Sequence, residues 1–131
     1  MKNLSLALSA VLALSATSAL AGESYDAALC VKNADGSGYC YGTYRGFRNH
    51  WSPKTYVEFL FMSNSPPAFY VNYQQTSTSP VIDVTCTART AAMQAMWPLL
   101  ISNEQYFSVV WNSTGECTYA TVSRSSKVVI P

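Results

Sequence analysis

The chain has 131 residues, 49% of them hydrophobic, and carries eight Lys or Arg, seven Asp or Glu and one His, a formal charge of +1. That near balance excludes the cationic surplus on which binding to a phosphate backbone depends, so nucleic acid is not an expected partner. Four cysteines, nine tyrosines and three tryptophans point instead to a domain tied by sulfur and furnished with aromatic rings for a core or a recognition surface.

In chain order, Lys2, the apolar run Leu4 to Leu14 and the small-residue site Ala19-Leu20-Ala21 read as a signal peptide over residues 1–21, of bacterial style and cut before Gly22. It is too short to span a bilayer, and no later run approaches the ~18 apolar residues a span needs. The expectation is one exported domain over residues 22–131, secreted or periplasmic. Loss of Lys2 leaves seven basic and seven acidic side chains. In an oxidising compartment Cys30, Cys40, Cys86 and Cys117 are expected to pair, with three connectivities open. Cys30 and Cys40 flank the turn-forming Asn33-Ala34-Asp35-Gly36-Ser37-Gly38, which places them opposite one another on a hairpin and leaves Cys86 for Cys117.

The first hairpin is read over Tyr25 to Asn33 and Tyr39 to Phe47, with Leu29 and Val31 on one face and Cys30 on the other. Thr55 to Met62 and Phe69 to Tyr73 form a second hairpin around a Ser/Asn/Pro turn. Gln74 to Pro80 is a polar loop, and Val81 to Val84 is either a short strand or the extended approach to a helix. The helix is expected over Ala88 to Trp97, capped by Thr87, with Ala92/Met96 and Met93/Trp97 on its apolar side and a stop or kink at Pro98. Gln105 to Asn112 alternates as a strand, putting Phe107, Val109 and Trp111 on one face, and Cys117 to Arg124 returns beside it after Ser113-Thr114-Gly115. The string β-β-β-β-α-β-β is mainly β with one helix. It fits a small Greek-key barrel of the oligonucleotide/oligosaccharide-binding kind, or alternatively an open antiparallel sheet with one packed helix.

Residues able to carry chemistry are few. His50 is the sole histidine, and the carboxylates are scattered; Glu58, on an otherwise aromatic and aliphatic strand, would have to join His50 and Arg45 or Arg48 to make a nuclease-like acid–base set. No nucleophile motif, phosphate loop or metal-ligand spacing accompanies them, so the chain is expected to be no enzyme, with no cofactor and no metal. The cluster Arg45, Arg48, His50, Lys54 reads as a solvated loop. Trp97 is expected to pack the helix onto the sheet and Trp51 to cover the mouth of the barrel. Trp111 stands at a strand end before the polar turn Asn112-Ser113-Thr114. There an accessible indole could stack on the C–H face of a neutral sugar while amide and hydroxyl neighbours bond its hydroxyls; core packing is the other reading.

Residues 88–123 resemble the C-terminal part of the B subunits of cholera-toxin-type pentameric toxins. The likeness is carried by a Met-containing helix, a strand ending Val110-Trp111-Asn112, a short turn and the closing strand Ala120-Thr121-Val122-Ser123. It implies a barrel of the oligonucleotide/oligosaccharide-binding fold, a homo-oligomeric ring of five, and attachment to cell-surface glycan, with Trp111 as the platform for a terminal galactose and Asn112 and Ser113 as its polar contacts. The chain departs from that pattern at Val109, where such subunits often hold a cysteine, and at Thr114, where some hold a lysine. It is similar also to small exported bacterial proteins of no assigned role with one Cys before the helix and another after the next strand. The leading expectation is therefore a non-enzymatic carbohydrate-binding module, toxin-B-subunit-like. The alternatives are a protein-binding module such as an enzyme inhibitor, anchored by Tyr39, Tyr41, Tyr44 and the Trp51 loop, and a small secreted nuclease.

Overall fold

The computed structural model describes residues 26–101 and 106–123, so the expected signal peptide lies outside the described residues, as do the expected strand ends at Tyr25, Gln105 and Arg124. The element order is β1 (Ala28–Lys32), β2 (Gly38–Thr43), α1 (Tyr44–Arg48), β3 (Tyr56–Met62), β4 (Ser65–Tyr73), β5 (Ile82–Thr87), α2 (Ala91–Ile101), β6 (Tyr106–Trp111) and β7 (Cys117–Ser123). Mainly β with antiparallel hairpins is thus the architecture, as the alternation of the sequence indicates. The strands form two sheets, one ordered β1-β2-β6-β7 and the other the meander β3-β4-β5.

Neither sheet closes on itself, so the expected barrel is replaced by two open antiparallel sheets. The cause is local to Thr43. This residue ends β2 in an extended conformation and caps α1, its hydroxyl accepting from the Gly46 amide at 2.9 Å, so the chain leaves the sheet there. The edge of β2 that β3 would have taken is filled by β6, with Cys40 opposite Val109 and Gly42 opposite Phe107. β3 then starts a sheet of its own. Beyond the Cys86–Cys117 bond, an isolated parallel bridge between Thr87 and Glu116 joins the two sheets at one corner.

Period-2 alternation in both sheets sends one face inward. From β4, Phe69, Val71 and Tyr73 point to the core, and from β6 Phe107, Val109 and Trp111 do the same. Phe59 and Phe107 meet edge to face at 5.1 Å between centroids, and Phe47 of α1 stacks on Phe107 at 5.7 Å. Such pairs add to the area term through the opposed charges of ring edge and ring face. Trp97 is wholly buried, as expected of the residue that fastens the helix. Its indole donates to the Ala68 carbonyl at 3.3 Å and its ring meets Phe59 at 5.8 Å.

Both expected cysteine pairs form, the first from its turn composition and the second as the remaining pair. Cys30–Cys40 links directly opposed residues of β1 and β2, Cα atoms 4.1 Å apart, and Cys86–Cys117 spans the two sheets with Cα atoms 5.1 Å apart.

The helix differs from its expected bounds at both ends. Thr87 belongs to β5, and the Ala88 amide prolongs that strand's pairing by donating to the Pro67 carbonyl at 2.7 Å. The cap is Thr90, whose hydroxyl accepts from the Met93 amide at 3.2 Å. Pro98 does not stop α2, although it deprives the Gln94 carbonyl of its intrahelical donor. The following turn is held because Leu100 is buried and its carbonyl accepts from the Tyr44 hydroxyl at 3.0 Å. The buried stripe is Met93, Trp97 and Leu100, whereas Ala92 is exposed.

Candidate functional site

The expected sugar platform is not at the surface. Trp111 is 1% exposed, and its indole N–H donates to the Gly36 carbonyl at 3.0 Å. β6 places it on the inward face together with Phe107 and Val109, and the ring lies over Gly38 on the neighbouring strand. A Cβ at Gly38 would come within 2.6 Å of the indole Cζ2, so the absent side chain is what makes room for the ring. The reading of Trp111 as an accessible stacking face is corrected to core packing. Alternation fixed the side of the strand on which it stands; the polar turn after it says nothing of which side is wet.

Asn112 and Ser113 stay at the surface but without that partner. The Asn112 Oδ1 accepts from the Thr114 amide, the Thr114 hydroxyl and the Glu116 amide at 2.8–3.1 Å, so the carboxamide oxygen is spent on shaping the turn. Ser113 is exposed beside it.

The nuclease-like set is not assembled either. Glu58 stands on the outward face of β3, opposite Tyr70. His50 packs against Tyr73, a residue of the inward face of β4, with ring centroids 5.1 Å apart. Its Nδ1 accepts from the Ser52 amide at 3.3 Å, and burial holds the imidazole below its ordinary pKa. Arg45 pairs with Asp26 at 3.2 Å. Carboxylate and imidazole thus lie on opposite faces of one sheet. Among the described residues no three His, Cys, Asp or Glu side chains gather to hold a metal ion.

What the sheets leave outward is more informative. On the four-stranded sheet the registers align Val31, Tyr39, Val110 and Tyr119 across all four strands, and beside them Leu29, Tyr41, Ser108 and Thr121; Tyr106 and Ser123 continue the face. Tyr39 and Tyr119 are 37% and 54% exposed. Tyr39 and Tyr41 stack with centroids 6.2 Å apart, and Tyr41 meets Tyr106 at 6.0 Å. No charged side chain occurs in these rows. The result is an outward face of four phenol rings, small hydroxyls and branched aliphatics.

Two of the anchors expected for a protein-binding surface, Tyr39 and Tyr41, belong to this face; the other two do not. Tyr44 turns inward between Phe59 and Phe107, and burial pushes its phenol up to about 12. Trp51 is 53% exposed but sits on the loop before β3, its indole N–H donating to the Gln75 carbonyl at 2.9 Å. There is no barrel mouth for it to cover. Tyr106 and Tyr119 complete the face, and their signal was the alternation of the last two strands.

The outward face of β3-β4-β5 has another chemistry. One row aligns Tyr56, Asn72 and Asp83, and the next Glu58, Tyr70 and Thr85. Tyr56 and Tyr70 are diagonal neighbours, rings tilted 44° with centroids 5.5 Å apart. Hydrogen bonding of the Tyr70 phenol with Tyr56 and Asp83, reinforced by the Asp83 charge, pushes it up to about 12. Comparison with known proteins adds no identity to these surfaces: no family model, no curated protein and no solved structure matches the chain.

Proposed function

We propose that the chain is an exported, non-enzymatic binding module that recognises a protein through the outer face of the four-stranded sheet. The carrying observation is the row Val31, Tyr39, Val110, Tyr119 with Tyr41 and Tyr106 beside it, free of charge across four strands. Phenol rings supply large, stiff contact area at the cost of few rotatable bonds and still offer a hydroxyl at the rim, which is the chemistry enriched at protein interfaces. A face so poor in charge has little Coulombic cost of desolvation when a partner covers it. Its serines and threonines offer hydrogen bonds at the edge.

Export is supported by the two cross-sheet and in-sheet disulfides, which persist in oxidising surroundings. No helix among the described residues is long and apolar enough to cross a membrane. The glycan reading loses its platform with Trp111 inside the core.

The test compares two immobilised baits, the wild-type chain and a Tyr39→Thr/Tyr119→Thr variant, against the exported proteins of the producing cell. Threonine keeps the strand preference of both positions, so the thermal midpoint is expected to stay within a few degrees. Stoichiometric capture of one protein by the wild type, lost in the variant and indifferent to free monosaccharides, is the expected result. Equal capture by both baits, or elution by sugar, refutes the proposal.

A further inference from the structure

We infer that the outward face of β3-β4-β5 is a second docking surface, and that it takes an arginine-bearing segment of a protein partner. This is independent of the tyrosine face, which lies on the other sheet and is uncharged. The six aligned side chains Tyr56, Asn72, Asp83, Glu58, Tyr70 and Thr85 include two carboxylates and no cation. Glu58 is exposed and has no hydrogen bond or ion pair with any described residue. Asp83 is exposed too and stands diagonal to Tyr70 on the next strand.

Between these two anions stand the rings of Tyr56, 46% exposed, and Tyr70, tilted 44° to one another. A guanidinium is the group that answers both features at once. Its planar face stacks on a phenol ring, where the electron-rich π face attracts a cation, and its N–H fork reaches a carboxylate with two donors. An ammonium meets the charge but not the plane. A neutral pyranose meets the rings and can donate its hydroxyls to the carboxylates, but it leaves both charges uncompensated. Asn72, on the same strand, and Thr85, directly across on the next, flank Tyr70.

The experiment uses a fluorescein-labelled peptide with two arginines separated by glycine, and the same peptide with each arginine replaced by glutamine. Binding to the full chain is followed by anisotropy, with amide chemical shifts to locate it. The arginine peptide is expected to bind and the glutamine peptide not to bind, with shifts centred on the amides of β3 and β4. Glu58→Gln and Asp83→Asn are each expected to weaken binding about two- to fivefold, and together about tenfold, the scale of exposed ion pairs. Tyr56→Ser should remove a further two- to fivefold, roughly the strength of an exposed cation–π contact. Raising the salt should weaken the wild type more than the double carboxamide variant.

All three substitutions are at partly or fully exposed positions, so an unchanged thermal midpoint serves as the control for folding. Equal affinity for arginine and glutamine peptides, no loss in the double variant, shifts centred on the four-stranded sheet, or displacement of the peptide by neutral oligosaccharide would each overturn the inference. The tyrosine-face proposal is read separately, through Tyr39 and Tyr119.

Discussion

Replacing Trp111 by alanine tests the most consequential placement in the molecule. The ring is 1% exposed, rests on Gly38 and keeps company with Phe69 at 6.5 Å between centroids. Removing a buried indole from such a site costs about 3–5 kcal/mol, transfer and residual cavity together. Marginal domains have only about 5–15 kcal/mol in all. For a domain of this size each kcal/mol shifts the midpoint by roughly 4–8 °C, so the melting temperature should fall by at least about 12 °C. Trp111→Phe keeps a ring but loses the N–H donor to the Gly36 carbonyl. Because Gly36 is half-buried, water can replace that donor, and the expected cost is about 1–2 kcal/mol, mostly bond and lost volume. Thermal melts followed by far-UV circular dichroism, with near-UV spectra for packing, give both values. A Trp111→Ala protein melting within 3 °C (about one thermal-assay error) of wild type would mean the indole is not part of the core.

Removing Cys86–Cys117, which closes a 31-residue separation across the two sheets, should cost about 4 kcal/mol on the loop-entropy scale, against about 3 kcal/mol for Cys30–Cys40 with its separation of 10; paired Cys→Ser variants compared by urea unfolding decide the order. Gly38→Ala sets a Cβ 2.2 Å from the Val31 carbonyl oxygen and 2.6 Å from the indole, so it should destabilise by about 1–3 kcal/mol even though alanine is otherwise a benign residue. Tyr44 has its phenol raised by burial from 10.0 to about 12, so the folded state holds that proton more tightly than the unfolded chain. Its contribution is present below pH 10 and lost as pH rises towards 12, and Tyr44→Phe should flatten the decline of urea midpoints between pH 9 and 11.5 without abolishing it, because Tyr70 and Tyr73 are raised as well.

Most strands and both sulfur bonds were legible because each rests on local chemistry: alternation of side chains, turn residues between Cys30 and Cys40, and elimination for the remaining pair; Tyr44 to Phe47, expected to continue the second strand, lies instead in the helix α1, and the undecided segment from Val81 to Val84 falls largely in β5. The sheet order was not. Nothing near Thr43 in sequence announces that β6, more than sixty residues later, takes the edge beside β2, and that one choice separates two sheets from a barrel. The helix start was misplaced because Thr87 and Thr90 are equally good caps by residue type, and a tertiary bond from Ala88 to Pro67 decides between them. Trp111 shows the limit for the site. The residues that follow it in sequence are polar, but alternation puts it on the face of Phe107 and Val109, and the register of β2 against β6 sets the ring over Gly38. The tyrosine face was half visible, through Tyr39 and Tyr41 two residues apart, whereas Tyr119 joins it through a register that a bulge between Val110 and Trp111 shifts.

The strand order has a consequence for how the chain acquires its shape. The meander β3-β4-β5 is finished once residue 87 has emerged, from neighbours in sequence alone, while the other sheet needs its first and last hairpins brought together over most of the chain. Until the second of these is synthesised, β2 waits with one row of backbone donors and acceptors unsatisfied, a sticky margin open to any passing strand. A polypeptide built this way gains from being kept unfolded until its last residue is released, since a nascent chain allowed to collapse early would spend that interval exposed to mispairing with its own copies.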